Sequence, residues 1–286
     1  MADVAYPNFA MWLLATPVVL LGIALWLLAL LLLEWSWYRR TARAYNLAEM
    51  WRSLKAFAVV GIAQIVLSAI LVPVLTWVWP YRIQTLAMDS VWHWVMAWII
   101  TDFVYYWIHR GLHLTGVGWS LHAPHHSLLQ MSLLDSLRTS WGEQPVGVFA
   151  YGIPLVLLGV PPWIAGGFYL FVALYQFAVH TEMDWSLGPL DAIIYTPAAH
   201  RSHHATDRQE ADRNYGGFFL IFDRVFGTWT PTRRTYRPAE YGVPGKQPDS
   251  LGGVLFGEMR TLAARVGQGA GPVAKLRALV FRGPDA

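Results

Sequence analysis

The sequence lacks cysteine and is poor in charged residues. The absence of cysteine from its 286 residues excludes disulfides, zinc–thiolate sites and thiol nucleophiles. Charged residues make up 14% of the chain, against about 25% in an ordinary soluble domain, whereas apolar residues make up 55%. The net charge is only +3, and no nucleic-acid-binding motif occurs. The composition therefore favours an integral membrane protein and excludes nucleic acid as the expected partner.

Long apolar runs predict several membrane-spanning helices. A bilayer core about 30 Å thick requires about 20 apolar residues in a helix. The runs are 11–33, 56–79 and 91–108, followed by a hairpin of 146–160 and 163–179. The first arm of the hairpin is short, so full crossing by 146–179 is left open. We expect an all-α integral membrane protein with about four to five transmembrane helices and a cytoplasmic helical cap.

Basic residues between the runs predict the orientation. Arg39, Arg40, Arg43, Arg52 and Lys55 lie between the first two runs, whereas the first ten residues carry no Lys or Arg. Because basic loops remain in the cytoplasm, we expect the N-terminus on the opposite side. Counting the crossings from there places 109–144 and everything after 180 in the cytoplasm.

Histidine, in contrast, is concentrated in three short clusters. Their spacings are HxxxH, HxxHH and HxxHH, and a single histidine, His180, lies between the last two. On a helix, residues three and four apart share one face, and neutral imidazole is the commonest protein metal ligand. So many imidazoles packed together without a cation would leave buried lone pairs unsatisfied. The clusters, which predict a metal site, are His109 and His113; His122, His125 and His126; and His200, His203 and His204.

The number of histidines favours two metal ions. One ion takes about four ligands, so nine histidines exceed its needs and suit two ions with four or five ligands each. Imidazole binds zinc, copper, iron and nickel, and the ligand type therefore does not decide the metal. Iron is favoured because a dimetal centre at a lipid surface suits O2 chemistry on an unreactive C–H bond. Zinc is expected to substitute for iron in a purified sample.

The order of the clusters and their flanks resembles the fatty acid hydroxylase/sterol desaturase superfamily of integral membrane di-iron enzymes. The matching segments are DFVYYWIHR at 102–110, HAPHHS at 122–127, NYGG at 214–217 and DRVFGT at 223–228. The HTE triplet at 180–182 and the TP pair at 196–197 look most like the alkylglycerol monooxygenase branch. The resemblance covers about residues 90–232.

This resemblance implies a di-iron centre that uses O2 to hydroxylate a lipid, whether fatty acyl, sterol or isoprenoid, or ether lipid. Desaturation of a lipid on the same site is the alternative. It also implies that the clustered histidines are metal ligands and that His180 is a further one. Electrons would come from an external donor, either cytochrome b5, a ferredoxin or tetrahydrobiopterin, because the sequence shows no fused haem or ferredoxin module.

Four residues outside the clusters are predicted to orient the imidazoles. The ring nitrogen that does not bind metal usually bonds to a carboxylate or carbonyl. Asp102 lies two helical turns before His109 and is costly inside a span unless paired, with Arg110 or a tyrosine hydroxyl as the alternative partner. Glu182 and Asn214 are further candidates, as is Asp135.

Two other polar positions are expected to lie outside the site. We expect Asp212 to be solvated or paired with Arg208 or Arg213, and His93 to be an interfacial residue that binds no metal.

The chain divides into three parts on this interpretation. Residues 1–90 hold two transmembrane helices and a basic cytoplasmic loop, 91–235 form the catalytic region, and 236–286 form a C-terminal tail. In the tail, apolar residues repeat at helical spacing in 255–266, and 273–281 is apolar with basic residues. We expect two amphipathic helices at the membrane surface. The alternatives are a flexible tail or one helix packed on the cap.

Two other functional classes fit the sequence less well. A metal transporter is expected to place its ligands near the membrane midplane in two repeats, and the sequence shows no internal repeat. A zinc hydrolase usually carries a glutamate base in an HExxH motif, which does not occur.

Overall fold

The structure is a computed structural model that describes residues 9–207, 212–243, 248 and 250–282. In these residues it contains helices and no β-strand, apart from isolated bridges that join Ile194 to Phe219 and Ala205 to Tyr241. The all-α prediction is therefore confirmed for this part of the chain. The α-helices are α1 (Phe9–Arg40), α2 (Leu47–Val78), α3 (Val91–Leu114), α4 (Gly116–His126), α5 (Glu143–Leu157), α6 (Pro162–Val179), α7 (Pro197–His203), α8 (Ile221–Val225), α9 (Leu251–Gln268) and α10 (Pro272–Val280).

Two stretches of the described helices are long and apolar enough to cross a membrane, namely Pro17–Arg40 in α1 and the whole of α6. Only 6% of the α1 stretch is buried inside the protein. Its leucines and valines thus lie exposed, as lipid-facing residues do. These features indicate a membrane protein. The total of four to five spans and their orientation stay predictions, and residues 1–8 of the predicted outer N-terminus lie outside the described part.

Local sequence signals set several helix starts. A side-chain oxygen just before the first turn accepts a hydrogen bond from an otherwise unpaired backbone N–H group. The capping residues are Asn46 for α2, Ser90 for α3, Thr115 for α4 and Ser250 for α9.

The largest of the described apolar clusters joins α2, α3, α5 and α6. It includes Leu75, Val104, Leu155 and Ile164, all nearly inaccessible to solvent. Gly159 closes the turn between α5 and α6 with a φ of 92°. A Cβ atom there would lie 2.6 Å from the carbonyl oxygen of Gln84, so only glycine fits. This core fixes the end of α3 that leads into the first histidine cluster.

The C-terminal tail forms the two predicted helices, and they pack on the rest of the chain. Val254 and Leu255 of α9 are buried against Ala56 and Val60 of α2. The carbonyl of Leu255 also accepts a hydrogen bond from the backbone of Trp141, at 3.2 Å. The alternative of a flexible tail is thus wrong for the described residues, because α9 has an apolar face that α2 and α4 cover. A membrane-surface position for the outer faces of these helices stays a prediction.

Candidate metal centre

The structure gathers the nine predicted ligands into two adjoining groups. Within each group, the candidate ligand atoms all lie within 4.8 Å of one another. We call them the five-histidine group and the four-histidine group. The ring of His126 in the first stacks on that of His204 in the second, with centroids 4.1 Å apart. The members are His109, His113, His122, His126 and His203 in the five-histidine group, and His125, His180, His200 and His204 in the four-histidine group.

Helical register explains how so many imidazoles converge. His109 and His113 lie one turn apart on α3, and His122 and His126 lie one turn apart on α4. Each pair therefore projects from one helix face. The third cluster occupies the end of α7, and His180 directly follows α6. His93 lies apart from both groups, with its Nδ1 atom 2.7 Å from the carboxylate of Asp89.

Most of these imidazoles use Nδ1 to bond to the surrounding protein. The partners are carbonyl oxygens, two carboxylates and one tyrosine hydroxyl, and Tyr195 donates its own proton to the carbonyl of Asn214. Each such Nδ1 therefore carries the proton, which leaves a lone pair on Nε2. The pairs are His109 with Tyr215 O (3.0 Å), His113 with Asp212 (3.0 Å), His122 with Glu143 (2.5 Å), His125 with Arg138 O (3.3 Å), His180 with Ser132 O (2.9 Å), His200 with Tyr195 Oη (3.1 Å) and His203 with Arg213 O (2.8 Å).

Most of the inward-facing ring nitrogens carry no proton. The Nε2 atom of His122 lies 3.2 Å from that of His109 and 3.2 Å from that of His126. Since the Nδ1 atoms of His109 and His122 carry the protons, two lone pairs face each other. Further nitrogens are buried without a hydrogen-bond partner, namely Nε2 of His113, His180, His200 and His203 and both ring nitrogens of His204. Buried lone pairs of this kind are costly unless a cation fills the space between them. The donor set therefore fits metal ions.

The imidazoles are also in the protonation state that a metal requires. Burial away from water lowers the pKa of His122 and His180 to about 3 and that of His125 to about 4. Burial lowers the pKa of the other six as well. All nine are hence neutral at pH 7 and keep their lone pairs available.

The side chains of the four residues predicted to orient the imidazoles bond to groups other than the histidine rings. Asp102 was expected to pair with a ligand histidine. Instead its carboxylate accepts hydrogen bonds from the backbone N–H groups of Phe218 and Phe219, at 2.7 and 3.2 Å. The reason is that α3 turns this residue towards the loop after Tyr215. Asp102 thus holds the loop whose carbonyl receives the bond from His109.

Glu182 and Asn214 also bond to groups other than histidine. Glu182 forms ion pairs with Arg43, at 3.3 Å, and with Arg237. The side chain of Asn214 bonds to the backbone of Thr230, and its carbonyl accepts from the Tyr195 hydroxyl that contacts His200. Asn214 has a φ of 54°, a left-handed conformation that asparagine adopts more readily than most residues.

Asp135 likewise acts through a neighbour. It accepts hydrogen bonds from the hydroxyls of Ser53 and Ser132, and the carbonyl of Ser132 accepts from His180.

Two carboxylates that do contact the histidines were not predicted. Glu143 accepts from His122 and from the hydroxyl of Thr139, at 2.8 Å. Asp212 bonds to His113 and Arg282 and not to Arg213 as expected, while its side chain keeps 40% exposure to water. Arg208, its other expected partner, lies outside the described residues. Neither carboxylate stands at a characteristic sequence spacing from the histidine that it contacts. Tertiary packing brings each pair together.

Comparison with known protein sequences identifies the family to which the histidine-bearing part of the chain is related. Residues 94–228 match the family model for fatty acid hydroxylases. That range contains all nine clustered histidines. The chain belongs to the fatty acid hydroxylase/sterol desaturase superfamily. The resemblance seen in the sequence motifs is thereby confirmed, including its similarity to the alkylglycerol monooxygenase branch.

The superfamily relatives include lipid monooxygenases and hydroxylases. Alkylglycerol monooxygenase of Danio rerio is 34% identical over 207 residues, which cover 71% of this chain and 46% of that protein. The Homo sapiens protein of the same name is 40% identical over 149 residues, 52% of this chain and 33% of its own length. Ornithine lipid hydroxylase OlsE of Rhizobium tropici is 32% identical over 173 residues, 59% of this chain and 48% of that protein. The chain thus spans less than half the length of each of these relatives. No solved structure matches it.

Proposed function

We propose that this protein is an integral membrane monooxygenase that uses two iron ions and O2 to hydroxylate a lipid. The observation that carries the proposal is the pair of adjoining buried histidine groups with lone pairs directed inward. It is supported by the relatives, which are named as lipid monooxygenases and hydroxylases.

Each histidine group would hold one ion. The five-histidine group offers donors from α3, α4 and α7, and the four-histidine group offers donors from α4, from α7 and from the residue after α6. Two ions bound side by side suit a reaction that needs more than one electron. When bound there, iron would supply the activation of O2 and the oxidising power that no amino-acid side chain possesses.

The protein contributes a dry and rigid setting for these ions. Eight of the nine histidines are buried, and the groups that accept from their Nδ1 atoms are backbone carbonyls or buried side chains in most cases. Fixed partners keep each ring in one orientation, so the ligands need not reorganise during a reaction. Exclusion of water also protects a strong oxidant from side reactions.

A row of aromatic rings leads from the apolar core of α2, α3, α5 and α6 to the histidines. The ring of Tyr105 lies edge-on to that of His109, with centroids 5.5 Å apart. Tyr105 in turn contacts Tyr151, at 6.2 Å, and Tyr151 contacts Tyr169 of α6, at 5.3 Å. We propose that the apolar chain of the substrate approaches along this row. If α3 and α6 cross the bilayer as predicted, these rings lie at the depth of the lipid tails.

The substrate would be a membrane lipid with a polar head group. Hydroxylation next to an ether oxygen would give a hemiacetal that separates into an aldehyde and an alcohol. Desaturation would require loss of a second hydrogen, and the placement of the chain decides between these outcomes. An external donor, whether cytochrome b5, a ferredoxin or a pterin, would supply the electrons. The histidine site is proposed to face the cytoplasm, as the basic loops predict.

The proposal is tested by lipid analysis of cells that express the protein under 18O2. Three forms are compared: the wild type, His203→Ala in the five-histidine group, and the matched control His93→Ala outside both groups. We expect a lipid carrying one 18O atom with the wild type and the control, and none with His203→Ala. If no lipid gains oxygen or loses two hydrogens in a manner that depends on His203, the proposed function is wrong.

A further inference from the structure

The last described residues of the C-terminal tail dock where α3 ends and α4 begins, between the first and second histidine clusters. The backbone N–H of Arg282 donates to the carbonyl of Leu114, at 3.0 Å, and Ala278 of α10 is buried. The close approach depends on Gly116 at the start of α4, where a Cβ atom would lie 2.0 Å from the carbonyl oxygen of Ala278. Residues 94–228, which match the family model, end well before this segment.

Arg282 is held at this position by two further contacts. Its guanidinium lies over the indole ring of Trp119, 3.5 Å from the centroid, which is a favourable cation–π geometry. One guanidinium nitrogen lies 2.9 Å from a carboxylate oxygen of Asp212. The side chain of Arg282 is 22% exposed and that of Asp212 is 40% exposed, so water screens part of this ion pair.

The same oxygen of Asp212 continues the chain of contacts into the five-histidine group. It accepts a hydrogen bond from Nδ1 of His113, at 3.0 Å. The opposite nitrogen of His113, Nε2, is buried in the group without a hydrogen-bond partner. Asp212 itself adopts a left-handed backbone conformation, with a φ of 60°, which aspartate tolerates better than most residues.

We propose that Arg282 is a positioning residue for the metal centre and that the C-terminal tail thereby completes the five-histidine group. This inference rests on the proposed metal site. Arg282 fixes the Asp212 carboxylate, which keeps the proton of His113 on Nδ1 and directs Nε2 inward. In the described residues, the Nδ1 partners of the four-histidine group are Ser132, Arg138 and Tyr195, whereas the Asp212 carboxylate bonds to His113 of the five-histidine group. Arg282 therefore acts on one of the two ions.

The test is a titration of the purified, metal-free full-length chain with Co2+, whose visible spectrum reports binding to histidine. The forms compared are wild type, Arg282→Ala, Arg282→Lys, Asp212→Asn and the double variant Arg282→Ala/Asp212→Asn. The matched control is Arg277→Ala, which removes an exposed arginine from the same tail. Thermal unfolding of each form checks that it folds.

We expect the wild type and Arg277→Ala to bind two Co2+ ions. In Arg282→Ala, one ion should bind about 10- to 100-fold more weakly, the usual loss when the partner of a ligand histidine is removed, while the other binds normally. Asp212→Asn should show the same selective loss. The double variant should be no weaker than either single variant, because both changes break one chain of contacts. Arg282→Lys keeps the charge and should recover part of the affinity.

Three results would overturn the inference: unchanged binding of both ions in Arg282→Ala and Asp212→Asn, equal weakening of both ions, or additive losses in the double variant. If Arg282→Ala does not fold, Arg282→Lys and Asp212→Asn decide the matter by the same criteria. Failure of the wild type to bind Co2+ would instead contradict the metal site of the proposed function.

Discussion

The contact between Glu143 and His122 offers the sharpest test of how the protein would hold the proposed metal ions. His122 is central to the five-histidine group, since its Nε2 atom lies 3.2 Å from those of both His109 and His126. Its Nδ1 atom is 2.5 Å from the Glu143 carboxylate, whose side chain is 15% exposed and which also accepts from Thr139. Replacing this carboxylate should weaken the binding of the adjacent ion without altering any ligand.

The structure allows the size of the effect to be worked out for two substitutions. Glu143→Gln keeps the shape but exchanges a charge-assisted hydrogen bond of about 1.5–3 kcal/mol for a neutral one of about 0.5–1.5 kcal/mol. The difference of about 1–1.5 kcal/mol corresponds to a loss of affinity of about 5- to 12-fold. Glu143→Ala leaves the ring of His122 free to turn, and the expected loss is about 10- to 100-fold.

The assay measures iron per chain after equilibration with increasing concentrations of a chelator. The expected order of iron retention for the more labile ion is wild type, then Glu143→Gln, then Glu143→Ala. Glu240→Gln, which removes an exposed carboxylate, serves as the control and should match the wild type. Wild-type retention of both ions by Glu143→Ala would refute the argument that Glu143 orients His122.

Three further predictions concern stability and the metal. Glu34→Ala should lower the free energy of unfolding by about 3 kcal/mol, because the backbone N–H of Leu133 and the hydroxyls of Thr181 and Tyr45 lose a buried acceptor. Thermal unfolding in detergent measures this loss, and an unchanged midpoint would contradict it. Asp102→Asn should lower it by about 1–2 kcal/mol while iron retention falls less than in Glu143→Ala, since Asp102 bonds to the loop backbone and not to an imidazole. A strong chelator should abolish lipid oxidation and lower the unfolding temperature, and Fe2+ should restore both while Zn2+ restores only the temperature; recovery of oxidation with Zn2+ would exclude iron chemistry.

The histidine clusters were predictable from the sequence because their geometry is local. The HxxxH and HxxHH spacings place imidazoles on one face of α3, α4 and α7 whatever the rest of the chain does. The apolar runs, the helical spacing in the tail and the family resemblance are likewise properties of short segments.

The partners of the histidines could not be predicted in the same way. Asp102, Glu182 and Asn214 lie near a histidine cluster in the sequence, yet none of their side chains bonds to a clustered histidine. Glu143 and Asp212 do so, and they carry no motif that marks them.

The sequence by itself determined the type and number of the candidate metal donors and their spacing along the chain. The tertiary structure decided how the donors divide into the five-histidine and four-histidine groups. It also decided which carbonyl, carboxylate or hydroxyl accepts the hydrogen bond from each imidazole. The bond from His180 to Ser132 joins residues 48 positions apart, and the contact from Asp212 to Arg282 joins residues 70 apart. Such contacts depend on how helices pack and where loops lie, and short-range spacing in a chain carries no record of either.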